Sequence, residues 1–350
     1  MKTTLTKIKK EKPDFGALGF CKYFSDHMLV MDYKNGAWQE PEIMPYGAFE
    51  LNPATSSLHY GQGIFEGLKA YKNNGKVTLF RPRDNFVRMN KSANRLCIPE
   101  IDVDLVLNSL IELIKLEEDW IPEGGGRSLY IRPFIFATDN VLGVASASNY
   151  RFAIILSPVG SYYAGGLKPT RILVEEHFVR ASIGGTGEAK CIGNYAASLF
   201  AGNLAKAKGY DQVMWLDSSE HLFVEEVGSM NMFFVEKGKV KTPSLVGSIL
   251  PGITRDSAIK LLTAKGIKVE ETRISIKKVA KGINSGALTE AFGTGTAAVI
   301  SPVGTLGYQG KDLVIGNNEM GEISSWLYDE LTGIQCGIKE DKFGWVMHLN

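Results

Sequence analysis

One lysine lies in a setting where its amine could react. In GGTGEAKCIGNYAAS, residues 184–198, Lys190 follows a glycine-rich turn and precedes Tyr195 by five residues, at the start of a run with helical spacing. A lysine in such a position can act as a nucleophile toward a carbonyl group. Most lysines are solvated surface charges, so this assignment depends on partners elsewhere in the chain.

Two glycine-rich segments resemble nucleotide-binding motifs but depart from them. In GGTGEAKC, Ala189 and Cys191 stand where a phosphate-binding loop requires glycine and serine or threonine. FGTGTAA, residues 292–298, contains G-x-G-x-x-A, and Asp312 follows at about the distance that a dinucleotide site requires. A helix should follow those glycines, whereas AVISPVG predicts a strand. A nicotinamide-dependent oxidoreductase is therefore only an alternative from another class.

The chain offers more partners for pyridoxal phosphate. Its aldehyde needs a lysine amine, its ring nitrogen a carboxylate, and its phenolate oxygen a hydrogen-bond donor. Its phosphate needs backbone N–H groups at a helix start, hydroxyl groups and an arginine. The candidates for these roles are Lys190, Glu226, Tyr195, the PGIT turn at 251–254, Ser229, Thr296 and Arg88.

Seven motifs resemble those of one enzyme family. They are LHYGQGIFEGLKAY, FRPRDNFVRMNKSANRL, YIRPFIFA, GEAKCIGNYAAS, LFVEEVGSMN, LPGITRDS and FGTGTAAVISPVG. The set is similar to the branched-chain amino acid aminotransferases, class IV enzymes of pyridoxal-phosphate fold type IV, from about residue 20 to residue 305. D-Amino acid aminotransferases and aminodeoxychorismate lyases share this fold, but YIRP and LHYGQGIFEG favour the branched-chain group.

The resemblance implies a role for each cofactor candidate. Lys190 would form the Schiff base and carry the proton between the substrate α-carbon and the cofactor C4′. Tyr195 would bond the phenolate oxygen and Glu226 the pyridine nitrogen. Glu226 is preferred to Glu225 because EVGSMN matches the family's EVGTMN with that glutamate first. The residues implied to hold the phosphate are Arg88, Ser229, Ile253, Thr254 and Thr296.

The resemblance also implies one pocket for two unlike substrates. Branched aliphatic side chains need a dry pocket, whereas the side-chain carboxylate of glutamate must not be buried unpaired. Arg132 would meet that carboxylate. Backbone N–H groups around Thr296 and Ala297, with the hydroxyl of Tyr60 or Tyr130, would hold the α-carboxylate. The residues implied to form the wall are Phe20, Tyr60, Phe65, Tyr130 and Ala298.

The segment VLGV, residues 141–144, matches a loop that covers the neighbouring subunit's pocket in this family. With Leu142 and Val144 in that loop, the resemblance implies a homodimer. Some members carry a redox CxxC where Ala298 and Ser301 stand here, so thiol regulation at this place is not expected.

Helices and strands must position these residues. We predict a helix from Tyr195 to Lys208 with Asn194 as its N-cap, and a helix from Asp84 to Leu96 with Asp84 as its cap and Arg88 near its apolar face. The predicted apolar face of the first helix comprises Ala197, Phe200, Ala201, Leu204 and Ala205. A third helix is predicted through DVDLVLNSLIELIKLEEDW, residues 102–120, and Ile121-Pro122 ends it. The predicted strands include SLYIRPFIFAT, RFAIILSPV, TRILVEEHFV and DQVMWLD.

These elements predict a mixed α/β (α+β) fold of two domains, and the resemblance implies that the cofactor lies in the cleft between them. The predicted domains are a smaller N-terminal α/β domain, residues 1–159, a linker at 160–168, and a larger C-terminal cofactor-binding domain, residues 169–350.

Composition limits the classes of partner. Thirty-nine basic and 38 acidic residues give a net charge of +1, so neither nucleic acid nor an anionic membrane is favoured. The five histidines lack metal-ligand spacing, so no metal is expected. The four cysteines form no CxxC pair, which suits free thiols in the cytoplasm.

The predicted function is reversible, two-step amino transfer between leucine, isoleucine or valine and 2-oxoglutarate. A module that binds the cofactor without converting it is a further alternative, since fold does not prove catalysis.

Overall fold

The computed structural model describes residues 1–160 and 168–349. The chain forms two compact units: the first comprises Met1–Tyr162, Ala189–Ile192 and Gly333–Asn350, and the second comprises Tyr163–Glu188 and Gly193–Thr332. Most of the predicted linker, at 161–167, lies outside the described residues. Two stretches beyond the predicted boundary group with the first unit, and one of them carries Lys190.

The strands of the described chain are β1 (Lys2–Thr3), β2 (His27–Lys34), β3 (Ala37–Trp38), β4 (Glu42–Pro45), β5 (Gly63–Phe65), β6 (Leu68–Asn73), β7 (Lys76–Phe80), β8 (Ser128–Ala137), β9 (Tyr150–Val159), β10 (Thr170–Val174), β11 (Gln212–Leu216), β12 (Phe223–Val227), β13 (Met230–Glu236), β14 (Lys239–Pro243), β15 (Val269–Thr272), β16 (Ile274–Ser275), β17 (Leu288–Gly295), β18 (Val299–Tyr308), β19 (Lys311–Val314) and β20 (Val346–Leu349). The α-helices are α1 (Ser56–Tyr60), α2 (Pro82–Arg95), α3 (Val103–Leu116), α4 (Ile192–Ala207), α5 (Ile253–Ala264), α6 (Ile276–Asn284) and α7 (Glu322–Gln335). Short 3₁₀ turns lie at Glu118–Trp120 and Gly316–Asn318. This mixture confirms the predicted α/β class. None of the described helices is long and apolar enough to cross a membrane.

A mostly antiparallel sheet forms the first unit, in the order β1-β4-β2-β9-β8-β6-β7-β20. Helices α2 and α3 pack on one of its faces, where they share an apolar core with alternate strand residues such as Leu129 and Ile131. Because successive side chains of a strand point to opposite faces, Tyr130 and Arg132 lie on the other face of β8. The register of this sheet therefore places these two polar side chains together.

The sheet of the second unit closes on itself. Its order runs β13-β17-β18-β10-β11-β12, and β12 also pairs with β13. These six strands therefore form a closed barrel, which leaves no free edge along that path. Strands β14, β15, β16 and β19 extend the sheet beside it.

Two predicted helix starts are wrong. Helix α4 begins at Ile192, two residues before Asn194, and Asn194 bonds instead to the hydroxyl and carbonyl of Thr186, both at 2.7 Å. Helix α2 begins at Pro82, so Asp84 lies in its first turn and pairs with Arg81. Proline at the first helical position has no N–H that needs a partner, which explains the earlier start.

The predicted apolar face of α4 is only partly buried in the single chain. Ala201 and Ala205 are buried, but Phe200 is 60% exposed and Leu204 is 37% exposed. Apolar residues surround this helix on most sides, so their spacing alone does not identify the buried side.

Candidate active site

Backbone contacts on both sides of Lys190 fix its position in the first unit. Its N–H donates to Ser92 Oγ at 2.9 Å, and its carbonyl accepts from Phe65 N at 3.0 Å. The next residue, Cys191, forms an antiparallel bridge with Ile64. This short stretch therefore extends the sheet beside β5 and presents the lysine at a defined place.

The Lys190 amine lies beside an aromatic ring and among charged groups. Its Nζ is 4.9 Å from the centroid of the Phe65 ring. Burial, and to a smaller extent the charge of Arg88, lowers the pKa of Lys190 to about 8 against the opposing effect of Glu66 and Tyr130. Part of the residue stays accessible. The amine therefore has a neutral, nucleophilic fraction at moderately alkaline pH.

Arg88 projects from α2 into a buried ion pair. Its Nε lies 2.8 Å from Glu66 Oε1, and its Nη2 lies 2.8 Å from Glu66 Oε2. Oε2 of the same carboxylate also accepts from Gly67 N at 3.2 Å. Two parallel hydrogen bonds fix the plane of the guanidinium as well as its position.

The predicted substrate residues of β8 form one cluster with Phe20 and Phe65. Arg132 Nη2 donates to the Tyr130 hydroxyl at 2.9 Å, and its guanidinium lies 4.6 Å from the Phe65 ring centroid. The rings of Phe20 and Tyr130 form a T-shaped pair, with centroids 5.2 Å apart. Arg132 Nε is buried and has no hydrogen-bond partner in the described part of the chain. The cluster combines apolar walls with a guanidinium that can still donate.

Tyr60, Leu142 and Val144 form a second, exposed group in the first unit. The Tyr60 hydroxyl donates to the Leu142 carbonyl. Leu142 is 62% exposed and Val144 is 84% exposed. Large apolar side chains at such exposure are available to a partner.

In the second unit, Glu226 lies on β12 and is surrounded by donors. One oxygen, Oε1, accepts from Leu250 N at 3.1 Å and from Asn231 Nδ2 at 3.3 Å. Arg180 Nε lies 2.7 Å from the other oxygen, Oε2. Hydrogen bonds and a neighbouring cation favour the ionised form of a carboxylate.

The barrel register aligns Glu226 with two polar residues of the next strands. Glu226 is opposite Asn231, Asn231 is opposite Thr294, and Thr294 is opposite Ile300. Residues opposite one another across strands project to the same face of the sheet. Thr294 Oγ1 is buried and lacks a hydrogen-bond partner among the described residues.

The predicted phosphate and carboxylate residues of the hairpins lie at one end of the barrel. Ser229 lies in the turn between β12 and β13, and residues 296–298, Thr296, Ala297 and Ala298, form the turn between β17 and β18. Both turns lie at this end because β13 pairs antiparallel with β17. Val299, which follows the second turn, has a left-handed φ of 62°, a strained value for a β-branched residue.

The N-terminus of α5 carries Ile253 and Thr254, and it packs against Asn231. The N-cap residue, Gly252, has no side chain with which to cap this helix start. A Cβ at Gly252 would lie 2.0 Å from Asn231 Oδ1, so this approach requires glycine. The backbone N–H groups at a helix start are suited to an anion. Asn231 thus links the predicted phosphate segment to Glu226.

Tyr195 lies in the first turns of α4 and is half-buried. Its carbonyl accepts from Ser198 Oγ at 2.7 Å. The neighbouring Asn194 joins α4 to the glycine turn through Thr186. Hydrogen bonds of the Asn194 side chain therefore connect the turn before Lys190 to the helix after it.

Sequence reasoning missed four residues of these clusters: Glu66, Lys69, Arg180 and Asn231. Lys69 is opposite Tyr130 across β6 and β8, and burial lowers its pKa to about 8. Glu66 and Asn231 lie within the motifs FEG and EVGSMN, so both could have been considered. The sequence around Arg180 contains no motif that would have identified it as a site residue.

Comparison with known proteins gives consistent matches. The profile of the family described as amino-transferase class IV matches residues 63–306. The probable branched-chain-amino-acid aminotransferase of Staphylococcus epidermidis (strain ATCC 12228) is 58% identical over 338 residues, covering 96% of this chain and 94% of that protein. The branched-chain-amino-acid aminotransferase 2 of Bacillus subtilis is 54% identical, covering 100% and 97%.

Solved structures match at lower identity. The branched-chain aminotransferase of the thermophilic archaeon Thermoproteus uzoniensis, solved with norvaline, has a TM-score of 0.77 at 26% identity, covering 93% of this chain and 100% of that one. The Escherichia coli branched-chain amino acid aminotransferase has a TM-score of 0.74 at 28% identity, covering 91% and 99%.

Proposed function

Since this chain belongs to the amino-transferase class IV family, as its motifs predict, we propose that it transfers the amino group reversibly between branched-chain L-amino acids and 2-oxoglutarate. The observation that carries the proposal is Lys190, a partly buried residue whose amine has its pKa lowered by burial to about 8. It lies against the same aromatic ring as the Arg132 guanidinium. The near full-length similarity to enzymes of this name supports the substrate class.

The donor set fits pyridoxal phosphate, the cofactor of this family. Bound to the protein, it would supply an electron sink for chemistry at the substrate α-carbon. Lys190 would hold the aldehyde carbon and, once released, move a proton at its Nζ. Glu226 would keep the ring nitrogen protonated, and Tyr195 would donate to the phenolate oxygen. The residues proposed for the phosphate are Arg88, Ser229, Ile253, Thr254 and Thr296.

The cluster around Arg132 suits the two substrate classes. Phe20, Phe65 and Tyr130 supply apolar surface for a branched side chain. The buried Arg132 Nε, which lacks a hydrogen-bond partner in the described chain, would donate to the side-chain carboxylate of glutamate. An apolar substrate leaves this guanidinium bonded to the Tyr130 hydroxyl, which limits the cost of burying it.

Further contacts to the substrate come from the hairpin turn. Backbone N–H groups near Thr296 and Ala297 would bind the α-carboxylate, and Ala298 would add to the pocket wall. Tyr60 would contribute its hydroxyl or its ring.

We place the enzyme in a homodimer in which Leu142 and Val144 cover the partner's pocket. Their exposure of 62% and 84% in the single chain supports this. Leu199 and Phe200 of α4, 65% and 60% exposed, supply further apolar surface for a second copy. Sedimentation of the purified protein tests this part of the proposal, and a monomer at micromolar concentration contradicts it.

The absorption spectrum of the purified protein tests the function. The expected result is a cofactor band near ~400 nm that L-leucine bleaches and 2-oxoglutarate restores, because amino transfer has two half-reactions. D-Alanine serves in a parallel sample. Bleaching by D-alanine alone would support a D-amino acid aminotransferase, and a band that no amino acid changes would support a cofactor-binding module without catalysis.

The nicotinamide alternative loses its sequence support in the structure. FGTGTAA lies at the end of β17 and in the turn to β18, so a strand follows its glycines. The dinucleotide motif requires a helix at that point.

A further inference from the structure

Arg180 is a buried arginine with no part in the function proposed above. It lies between β10 and α4, and its side chain is 8% exposed. Its Nη2 donates to the carbonyl of Gly187 at 3.1 Å and to the carbonyl of Ser248 at 2.6 Å. Its Nε lies 2.7 Å from Glu226 Oε2 without directing its N–H at that oxygen, so this contact is an ion pair.

The two carbonyls that Arg180 binds come from segments in close contact. A Cβ at Gly187 would lie 2.1 Å from the Ser248 carbonyl oxygen. Two carbonyl oxygens that lie close together repel one another, and a guanidinium that donates to both offsets this repulsion. Arg180 thereby joins the glycine turn, the 248–250 loop and Glu226.

Burial acts on the neighbouring carboxylate, Glu225, more strongly than the cation does. Burial raises the pKa of Glu225, although the Ser248 hydroxyl, which donates to one of its oxygens, and the charge of Arg180 both oppose this shift. Its other oxygen has no hydrogen-bond partner in the described chain. The two adjacent glutamates are both less than 5% exposed. Of the two, Glu226 has the arginine within 3 Å of its carboxylate. Burial favours the neutral form of a carboxyl group, and a close cation favours the charged form.

We propose that Arg180 is a positioning residue that keeps Glu226 ionised and oriented toward the pyridine nitrogen of the cofactor. The inference rests on the proposed function, in which Glu226 holds that nitrogen. Leu250 N and Asn231 Nδ2 fix one oxygen of the carboxylate, and the guanidinium supplies the charge beside the other. Arg180 itself contacts neither substrate nor cofactor in this assignment.

The test compares pyridoxal phosphate with its 1-deaza analogue, which has carbon in place of the ring nitrogen. Dissociation constants for both are measured on the apoprotein of the wild type, Arg180→Met, Glu226→Gln and the double variant. The wild type should bind pyridoxal phosphate more tightly than the analogue. The ratio compared among the variants is the dissociation constant of the analogue divided by that of pyridoxal phosphate. Arg180→Met should reduce this ratio about tenfold, the typical effect of losing one strong charge-assisted contact.

The double variant separates positioning from a general structural role. In the Glu226→Gln background, Arg180→Met should leave the ratio unchanged, because Arg180 acts through the charge of Glu226. Arg180→Lys keeps a cation and should restore at least part of the ratio. Arg171→Met removes an arginine from an exposed pair with Asp312 and serves as the control that should match the wild type.

Each outcome has a separate meaning. If Glu226→Gln leaves the wild-type ratio intact, the proposed role of Glu226 fails and the role of Arg180 fails with it. If Glu226→Gln abolishes the ratio but Arg180→Met does not, only the inference about Arg180 is overturned. If Arg180→Met does not fold, Arg180→Lys decides: a ratio above that of Glu226→Gln supports the inference, and a ratio equal to that of Glu226→Gln contradicts it.

Discussion

Arg88 and Glu66 form a buried pair with two hydrogen bonds, each 2.8 Å long. Glu66 is fully buried and Arg88 is 7% exposed. Water has little access to either charge, so each depends largely on the other. The arginine proposed to bind the phosphate is thus held by a carboxylate whose position is set by β5 and its following turn.

Removing the charge of Glu66 should destabilise the first unit. We expect Glu66→Gln to lower the free energy of unfolding by about 3–5 kcal/mol, because the Arg88 charge stays buried without its counterion. Denaturant unfolding of the apoprotein measures this. Glu112→Gln removes an exposed pair with Lys115 and should change stability by less than about 1 kcal/mol. Equal effects of the two substitutions would contradict the buried-pair account.

Replacing Lys190 should halt amino transfer. We expect Lys190→Ala to reduce turnover by about 10²–10⁴-fold or more, because the proposed function assigns the proton transfer to its Nζ. Steady-state kinetics with L-leucine and 2-oxoglutarate measure this, and the absorption spectrum shows whether cofactor stays bound. Lys206→Ala, in the last turn of α4, should match the wild type. Unchanged turnover in Lys190→Ala would overturn the assignment.

Stability of the apoprotein should depend on the Lys190 proton. Burial lowers the pKa of Lys190 from 10.5 to about 8. Between these values the unfolded chain binds more protons than the folded one, so the contribution of Lys190 to stability rises with pH. Unfolding from pH 8 to 10 should therefore show a smaller rise in Lys190→Met than in wild type. Lys69→Met should behave similarly, since burial lowers the pKa of Lys69 to about 8. Equal slopes in all three proteins would refute this.

Enlarging Gly252 should separate α5 from Asn231. A Cβ there would meet Asn231 Oδ1 at 2.0 Å, so we expect Gly252→Ala to cost about 1–3 kcal/mol in thermal or denaturant unfolding. Adding Asn231→Ala should recover part of the loss. Gly202→Ala in α4 has open space around its Cβ and should stabilise by roughly 0.5–1 kcal/mol. If Gly252→Ala is as stable as the wild type, the contact between Gly252 and Asn231 is not close enough to require glycine.

Replacing Arg132 should affect one substrate class more than the other. We expect Arg132→Leu to slow the half-reaction with L-glutamate by about 10²-fold or more, since an unpaired carboxylate would be buried, and to affect L-leucine much less. Stopped-flow bleaching of the cofactor band measures both half-reactions. Equal losses for the two substrates would place Arg132 outside the side-chain pocket.

Local sequence was sufficient for several elements. Helix α3 runs from Val103 to Leu116, with Asp102 accepting from two backbone N–H groups at its start, and its apolar residues repeat at helical spacing. Strands β8 and β9 follow from their β-branched and aromatic residues. The start of α4 was missed because Asn194 has the side chain of a cap but uses it on Thr186. Capping preference describes only nearby backbone, whereas this contact depends on the fold of the preceding turn.

The sequence by itself determined the family, the reactive lysine Lys190 and the glutamate Glu226 as candidates, since these lie in contiguous motifs. Only the tertiary structure decided which charges pair with them: Arg88 with Glu66, and Arg180 with Glu226. Motifs and propensities act over a few residues, but the partners in these pairs are far apart in sequence. Sheet register and helix packing bring the partners together. Burial then makes each charge depend on its partner, because little water is available to solvate it.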